Sequence, residues 1–96
     1  MSEIANWPFQ DPENAAVFTT QQVVKDHKPV LFVTHDAEDG AWQFHSSDIA
    51  RDEDVIIIAL FEIVEIDPTI TQLADLPLGW VASRNSALDT WKRQLA

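Results

Sequence analysis

The chain has 96 residues, of which 46% are hydrophobic, and its 16 acidic side chains outnumber the 6 basic ones to give a formal net charge of -10. This composition predicts one folded domain over residues 1–96 and excludes a disordered chain. The charge disfavours nucleic acid and acidic membrane surfaces; it either favours a basic protein partner or simply keeps the protein in solution. The absence of cysteine excludes disulfides and thiolate metal sites, and with no secretory leader before Trp7 we expect a cytoplasmic location.

The first quarter of the chain shows signals for an irregular segment, a strand and a helix. Two prolines and scattered polar residues predict that residues 1–15 lie irregularly over the domain. A first strand is predicted at residues 16–18. A helix is predicted over residues 20–27, because Thr19 is suited to cap it and a glutamine follows three positions later.

A hairpin follows the predicted helix. Pro29 ends the helix and leads into a strand at residues 30–35, and Gly40 closes an acidic turn before a returning strand at residues 42–45. If the loop is even in length, pleat parity places His35 and His45 on opposite faces of the sheet. A metal site built from the two histidines is therefore disfavoured, and we predict no metal or cofactor.

The second half of the chain alternates apolar runs with turn signals. The apolar run at residues 55–61 is far shorter than the roughly 20 residues of a membrane span and predicts a buried strand. Residues 61–66 suit a short helical turn better than a strand, although both remain open. A capping aspartate and a proline predict a helix over residues 68–74, and a strand at residues 80–84 precedes a terminal helix at residues 90–94.

These elements together predict an α+β domain. We expect a mostly antiparallel sheet of four to five strands with two or three short helices packed on one face. Trp42 and Trp80, at strand positions, are expected to fill the core, while Trp7 and Trp91 are better candidates for exposed contacts.

No catalytic signature is visible in the chain. No nucleophile elbow surrounds the serines at positions 46, 47, 83 and 86, which could otherwise pair with His35 or His45 for catalysis. The chain holds only 2 glycines, which excludes a glycine-rich phosphate loop. We therefore do not expect an enzyme.

Three short motifs in a fixed order carry a family resemblance. They are the run from Asp39 to Ser46 (DGAWQFHS), residues 66–70 (IDPTI) and residues 76–84 (LPLGWVASR). Over about residues 30–91 the chain resembles a small uncharacterised bacterial family that is similar to the immunity proteins of polymorphic toxin systems. The resemblance implies a protein that binds a toxin and occludes its active site. The alternative is a small ligand-binding or structural domain without catalytic activity.

An acidic inhibitor can use its charge to attract a basic toxin, so we take the acidic residues as candidate binding residues. They are Glu38 and Asp39 in the turn and Asp52, Glu53 and Asp54 in the following loop, each of which could instead be merely solvated. Trp91 or His45 would supply contacts buried by the partner. Arg84 would serve as a structural ion-pair partner or as a ligand for an anionic group.

Overall fold

The computed structural model describes residues 6–47 and 51–96, and its strands form one six-stranded sheet. The strands are β1 (Ala16–Thr20), β2 (Phe32–His35), β3 (Trp42–His45), β4 (Val55–Ala59), β5 (Trp80–Ser83) and β6 (Lys92–Leu95). Their order in the sheet is β4-β1-β3-β2-β5-β6. Within the described residues, β1 pairs with β3 in parallel and the other strand pairings are antiparallel.

Short helices connect the strands, and all of them except the 3₁₀ helix at Asp52–Asp54 share one hydrophobic core with the sheet. These are α1 (Gln21–Val24), α2 (Leu60–Ile66) and 3₁₀ helices at Asp52–Asp54 and Pro68–Leu73. Their buried side chains pack with those strand residues that point to one face of the sheet, among them Val17, Val33, Phe44 and Ala82. The predicted α+β class with a mostly antiparallel sheet is confirmed, with six strands where four to five were expected.

The opposite face of the sheet, which we call the open face, carries a second set of side chains. Strand register places Phe18, Phe32 and Val81 on this face, together with Ile57 of the edge strand. The first three are half-buried, and Ile57 is 62% exposed. No described helix packs these residues into the core, so the open face is a partly apolar surface.

The predicted hairpin is confirmed in its register. His35 pairs with Trp42 and Phe32 pairs with His45, so the two histidines point to opposite faces of the sheet as pleat parity predicted. The ring of His35 stacks on that of Trp42 at 3.9 Å between centroids. Trp42, expected in the core, is buried there.

Two of the predicted helices differ in the structure. The helix expected over residues 20–27 is shortened to Gln21–Val24. It begins later than expected because Thr20 belongs to β1 and pairs with β4, and it ends before His27, whose φ of 57° is not helical. The terminal helix expected at residues 90–94 is wrong, since Lys92–Leu95 forms β6 against β5. Sheet pairing has overridden local propensity in each case.

The predicted N-terminal segment and loop extend beyond the described residues. Residues 6–15 contain no helix or strand, in agreement with the predicted irregular segment, and residues 1–5 lie outside the described part of the chain. In the acidic loop, residues 48–50 are likewise outside it, and Asp52–Asp54 forms a 3₁₀ helix. The described residues include no helix that is long and apolar enough to span a membrane.

The apolar run at residues 55–61 forms a partly buried edge strand and the start of α2, so its prediction as a buried strand is wrong. Alternate backbone groups of such a strand face away from the sheet. At one end the Val55 N–H donates to the Asp52 carbonyl, and at the other the Ala59 N–H donates to the Glu62 carboxylate at 2.9 Å. These contacts shorten the free edge and limit pairing with a second molecule.

Candidate functional site

The acidic turn between β2 and β3 is fixed by its own hydrogen bonds. Asp36 N–H donates to Ala41 O, and Gly40 N–H donates to Asp36 O, both at 2.8 Å. The Asp39 carboxylate accepts the Ala41 N–H at 2.9 Å. Gly40 has a φ of 74°, which glycine adopts without strain. Glu38 and Asp39 are therefore exposed on a turn of defined shape.

A cleft of about 450 Å³ lies beside this turn, and we call it the acidic cleft. Asp36, Glu38 and Asp39 line it together with Trp80 and Val81 of β5. No described residue in its lining is a lysine or an arginine. The cleft therefore offers negative charge beside apolar surface, and this combination suits the aliphatic stem and charged head of a basic side chain.

A chain of hydrogen bonds crosses the open face from the acidic cleft. Gln43 Nε2–H donates to Asp36 Oδ2 at 2.7 Å, so Gln43 Oε1 is the acceptor for His45 Nε2–H at 3.0 Å. Because an ionised carboxylate only accepts, Asp36 fixes the orientation of the amide, and the amide fixes the tautomer of the histidine. Nδ1 of the neutral His45 ring is therefore left with a lone pair.

His45 is buried inside the domain and only 4% exposed, so the structure does not present it to a partner at the surface. Burial disfavours the charged imidazolium and lowers the pKa of His45 below its ordinary value of 6.5, and the nearby Asp36 carboxylate opposes this effect only in part. His45 also lines a small cavity together with Arg51 and Asp54. The neutral form of His45 is thus favoured in the folded protein.

Acidification is expected to destabilise the fold through His45. Its pKa is lowered by folding, so the unfolded chain binds the proton more readily; the stabilising contribution is complete above about pH 6.5 and is lost as the pH falls through the lowered pKa. Between about pH 7.5 and about pH 5, wild type should lose more unfolding free energy than His45→Gln in urea titrations. His27→Asn removes an exposed histidine and should follow wild type. Equal losses in wild type and His45→Gln would contradict this role.

The acidic residues predicted to act together lie at opposite ends of the sheet. Glu38 and Asp39 follow β2, whereas Asp52–Asp54 precedes β4 and lies near the end of β1. The end of β1 is level with His45, the last residue of β3. A four-residue strand is about 13 Å long. The structure therefore separates the two acidic groups, and only the first lines the acidic cleft.

Arg84 makes contacts within the domain. It is 7% exposed, and its guanidinium donates to the carbonyls of Val30 at 3.0 Å and Ala87 at 3.2 Å, and to the Asp67 carboxylate at 3.0 Å. The same group lies 4.1 Å from the ring centroid of Trp91. These contacts favour Arg84 as a structural ion-pair partner over Arg84 as a ligand for an anionic group. The half-buried Trp91 ring packs against Arg84 of the same domain.

Sequence reasoning did not select Gln43 or Thr20 as candidate residues, although both contribute to polar features of the open face. Pleat parity already placed Gln43 on the same face as Asp36 and His45, and this was a usable signal for the hydrogen-bonded chain. Thr20 had no such signal, because it was assigned to a helix. Its position depends on the parallel pairing of β1 with β3, which local sequence does not reveal.

Metal ligands do not converge in the part of the chain that the structure describes, where no group of three or more His, Cys, Asp or Glu could hold an ion. Comparison with protein-family models, with curated proteins and with solved structures finds no match to this chain. The resemblance to bacterial immunity proteins therefore stays a prediction from the sequence.

Proposed function

We propose that this chain is an acidic protein-binding domain that neutralises a basic partner, as an immunity protein neutralises a toxin. Toxins that act on nucleic acid need lysine- and arginine-rich surfaces to hold phosphates. An inhibitor with a net charge of -10 is complementary to such a surface and is attracted to it over long range. The sequence resemblance supports the same function.

The arrangement of the acidic cleft is the observation that supports this function best. Glu38 and Asp39 project from a turn whose backbone is already fixed, so binding orders little additional chain. Trp80 and Val81 add apolar surface within the same cleft, and an interface needs such surface at its centre. The cleft thus combines charge for attraction with apolar area for a lasting contact.

Removing charge from the acidic cleft should slow binding to the basic partner. The immunity function predicts that a neighbouring gene encodes the effector, and that effector, once purified, is the partner to test. Glu38→Gln combined with Asp39→Asn removes two charges, and asparagine keeps an acceptor for the Ala41 N–H. We expect the association rate constant at low salt to fall roughly tenfold, with a weaker dependence on ionic strength, as measured by stopped-flow fluorescence.

A matched variant distinguishes an effect of the acidic cleft on binding from an effect of the overall net charge. Asp52→Asn combined with Glu53→Gln removes the same charge from exposed residues at the other end of the sheet, and its association rate should stay near that of wild type. Equal slowing by both double variants would overturn the acidic cleft as the binding site. Failure of the wild-type chain to bind the effector and block its activity would overturn the immunity function.

A further inference from the structure

The acidic cleft continues across the open face as a row of small side chains. Asp36, Gly79 and Ala96 belong to the cleft lining. At the same level of the sheet, strand register adds one alanine each from the start of β3, from β1 and from β4. These three residues, which we call the alanine strip, are Ala41, Ala16 and Ala59. Because none of them has a long side chain, a partner can approach the sheet closely here.

A row with larger apolar side chains lies next to the alanine strip on the same face. Its apolar members, which we call the apolar band, are Ile57 of β4, Phe18 of β1 and Val81 of β5, with Gln43 and Thr34 between the last two. Ile57 is 62% exposed, and the other two apolar side chains are half-buried. Exposed apolar area of this kind is what an interface needs at its centre.

Negative charge borders the alanine strip at both ends. One end meets the acidic cleft at Asp36. At the other end the carboxylate of the exposed Glu62 accepts the Ala59 N–H at 2.9 Å. The two ends lie on β2 and β4, three strand spacings or about 14 Å apart. Lys92 is the cation that strand register places on the open face within the described residues, and it lies at the opposite end of the sheet.

The size of the acidic cleft indicates that a tightly bound partner contacts more than the cleft. Ten residues line it, whereas a stable interface takes about 20–30 residues from each partner. The alanine strip and the apolar band are continuous with the cleft, since Val81 belongs to both the band and the cleft lining. A second copy of this chain would bring another net charge of -10 to the same face, and like charges repel. A basic protein is complementary to it.

We propose that the basic partner covers the open face as well as the acidic cleft, an inference that rests on the proposed function. The contact surface of the partner is apolar at its centre, where it packs on the alanine strip and the apolar band. On two sides of that centre, about 14 Å apart, it carries lysine or arginine side chains that meet the carboxylates of the cleft and of Glu62. The occupant is therefore a broad protein surface and not a single basic side chain inserted into the cleft.

Charge variants of the alanine strip provide the first part of the test, with the Kd for the purified effector measured by isothermal titration calorimetry. Ala16→Arg places a cation at the exposed centre of the strip and should weaken binding roughly tenfold or more. Glu62→Gln removes a charge but keeps an acceptor for the Ala59 N–H, and should weaken binding roughly fivefold. Ala87→Arg and Glu65→Gln make the same charge changes at exposed positions outside the strip. These two controls should change the Kd less than about twofold.

Apolar variants provide the second part of the test. Ile57→Ser removes an exposed side chain of the apolar band and should weaken binding roughly fivefold. Leu88→Ser removes a side chain that is 97% exposed and outside the band, so its Kd should equal that of wild type. Leu78 is 55% exposed and outside the cleft lining, and Leu78→Ser should likewise bind as wild type does. Weaker binding by Leu78→Ser but not by Ile57→Ser would place the rest of the interface elsewhere and overturn the proposal.

The outcomes distinguish this inference from the proposed function. If wild type blocks the effector but Ala16→Arg and Ile57→Ser bind as their controls do, the open-face contact is wrong and the immunity function stands. If wild type does not bind the effector, both are overturned. Light scattering of the free chain should show a monomer, and a dimer that Ile57→Ser dissociates would place a second copy on the open face and overturn the proposal. Ala16 and Ile57 are exposed, so their variants should keep the Tm of wild type, and a weaker affinity then reports on contact with the partner.

Discussion

Replacing Arg84 with alanine is expected to lower the free energy of unfolding by about 3–5 kcal/mol, the usual cost of removing one partner from a buried ion pair. The variant leaves the Asp67 carboxylate without its cation, and the carbonyls of Val30 and Ala87 without a donor. It also removes the guanidinium from the face of Trp91. In a domain of this size 1 kcal/mol corresponds to about 4–8 °C in Tm, so calorimetry should show a fall of more than about 12 °C.

Arg51 provides the matched control for this prediction. It forms an ion pair with Glu53 in which both side chains are largely exposed, and such pairs contribute less than about 1 kcal/mol. Arg51→Ala should therefore leave Tm almost unchanged. Arg84→Lys keeps the charge but loses the planar fork that reaches three acceptors, so its Tm should lie between those of wild type and Arg84→Ala. Similar Tm values for Arg84→Ala and Arg51→Ala would contradict a stabilising role for the buried pair.

The hairpin could be predicted from the sequence because its determinants are local. The positive φ of Gly40 and the alternation of side chains from His35 to His45 fix the register within a dozen residues. In the same way, Asp67 followed by proline correctly predicts the 3₁₀ helix that begins there, since the Asp67 carboxylate accepts the Thr69 N–H at 3.1 Å. Such signals need no knowledge of the rest of the fold.

Elements that depend on distant partners could not be predicted in this way. Lys92–Leu95 carries little strand propensity, and it becomes β6 because β5 offers an edge to pair with. The separation of Asp52–Asp54 from the acidic turn has the same origin. Both groups lie in acidic loops in the sequence, but only the pairing of the strands shows that they occupy opposite ends of the sheet. Charge clusters read along a chain therefore do not by themselves define one binding surface.

Trp42 joins the core to the acidic cleft, and Trp42→Ala is expected to cost about 3–5 kcal/mol of unfolding free energy. The ring is 2% exposed. It stacks on His35 at 3.9 Å and on Phe44 at 5.9 Å, and it meets the ring of Phe9 edge to face at 5.4 Å between centroids. His35 also lines the acidic cleft and donates its Nδ1–H to the Leu76 carbonyl at 2.7 Å. The cavity left by alanine would therefore loosen one wall of the cleft as well as the core.

Trp42→Phe distinguishes the contribution of aromatic packing to stability from that of the indole N–H. The indole Nε1–H of Trp42 is buried without a partner among the described residues, so phenylalanine removes an unsatisfied donor while it keeps an aromatic ring between His35 and Phe44. We expect Trp42→Phe to cost no more than about 1.5 kcal/mol, within the range of tolerated core swaps, in urea unfolding followed by circular dichroism. The indole N–H of Trp7, in contrast, has a partner, because it donates to the Asp11 carbonyl at 2.7 Å. A loss for Trp42→Phe as large as that for Trp42→Ala would mean that the indole N–H has a stabilising partner, and the argument from packing alone would then be wrong.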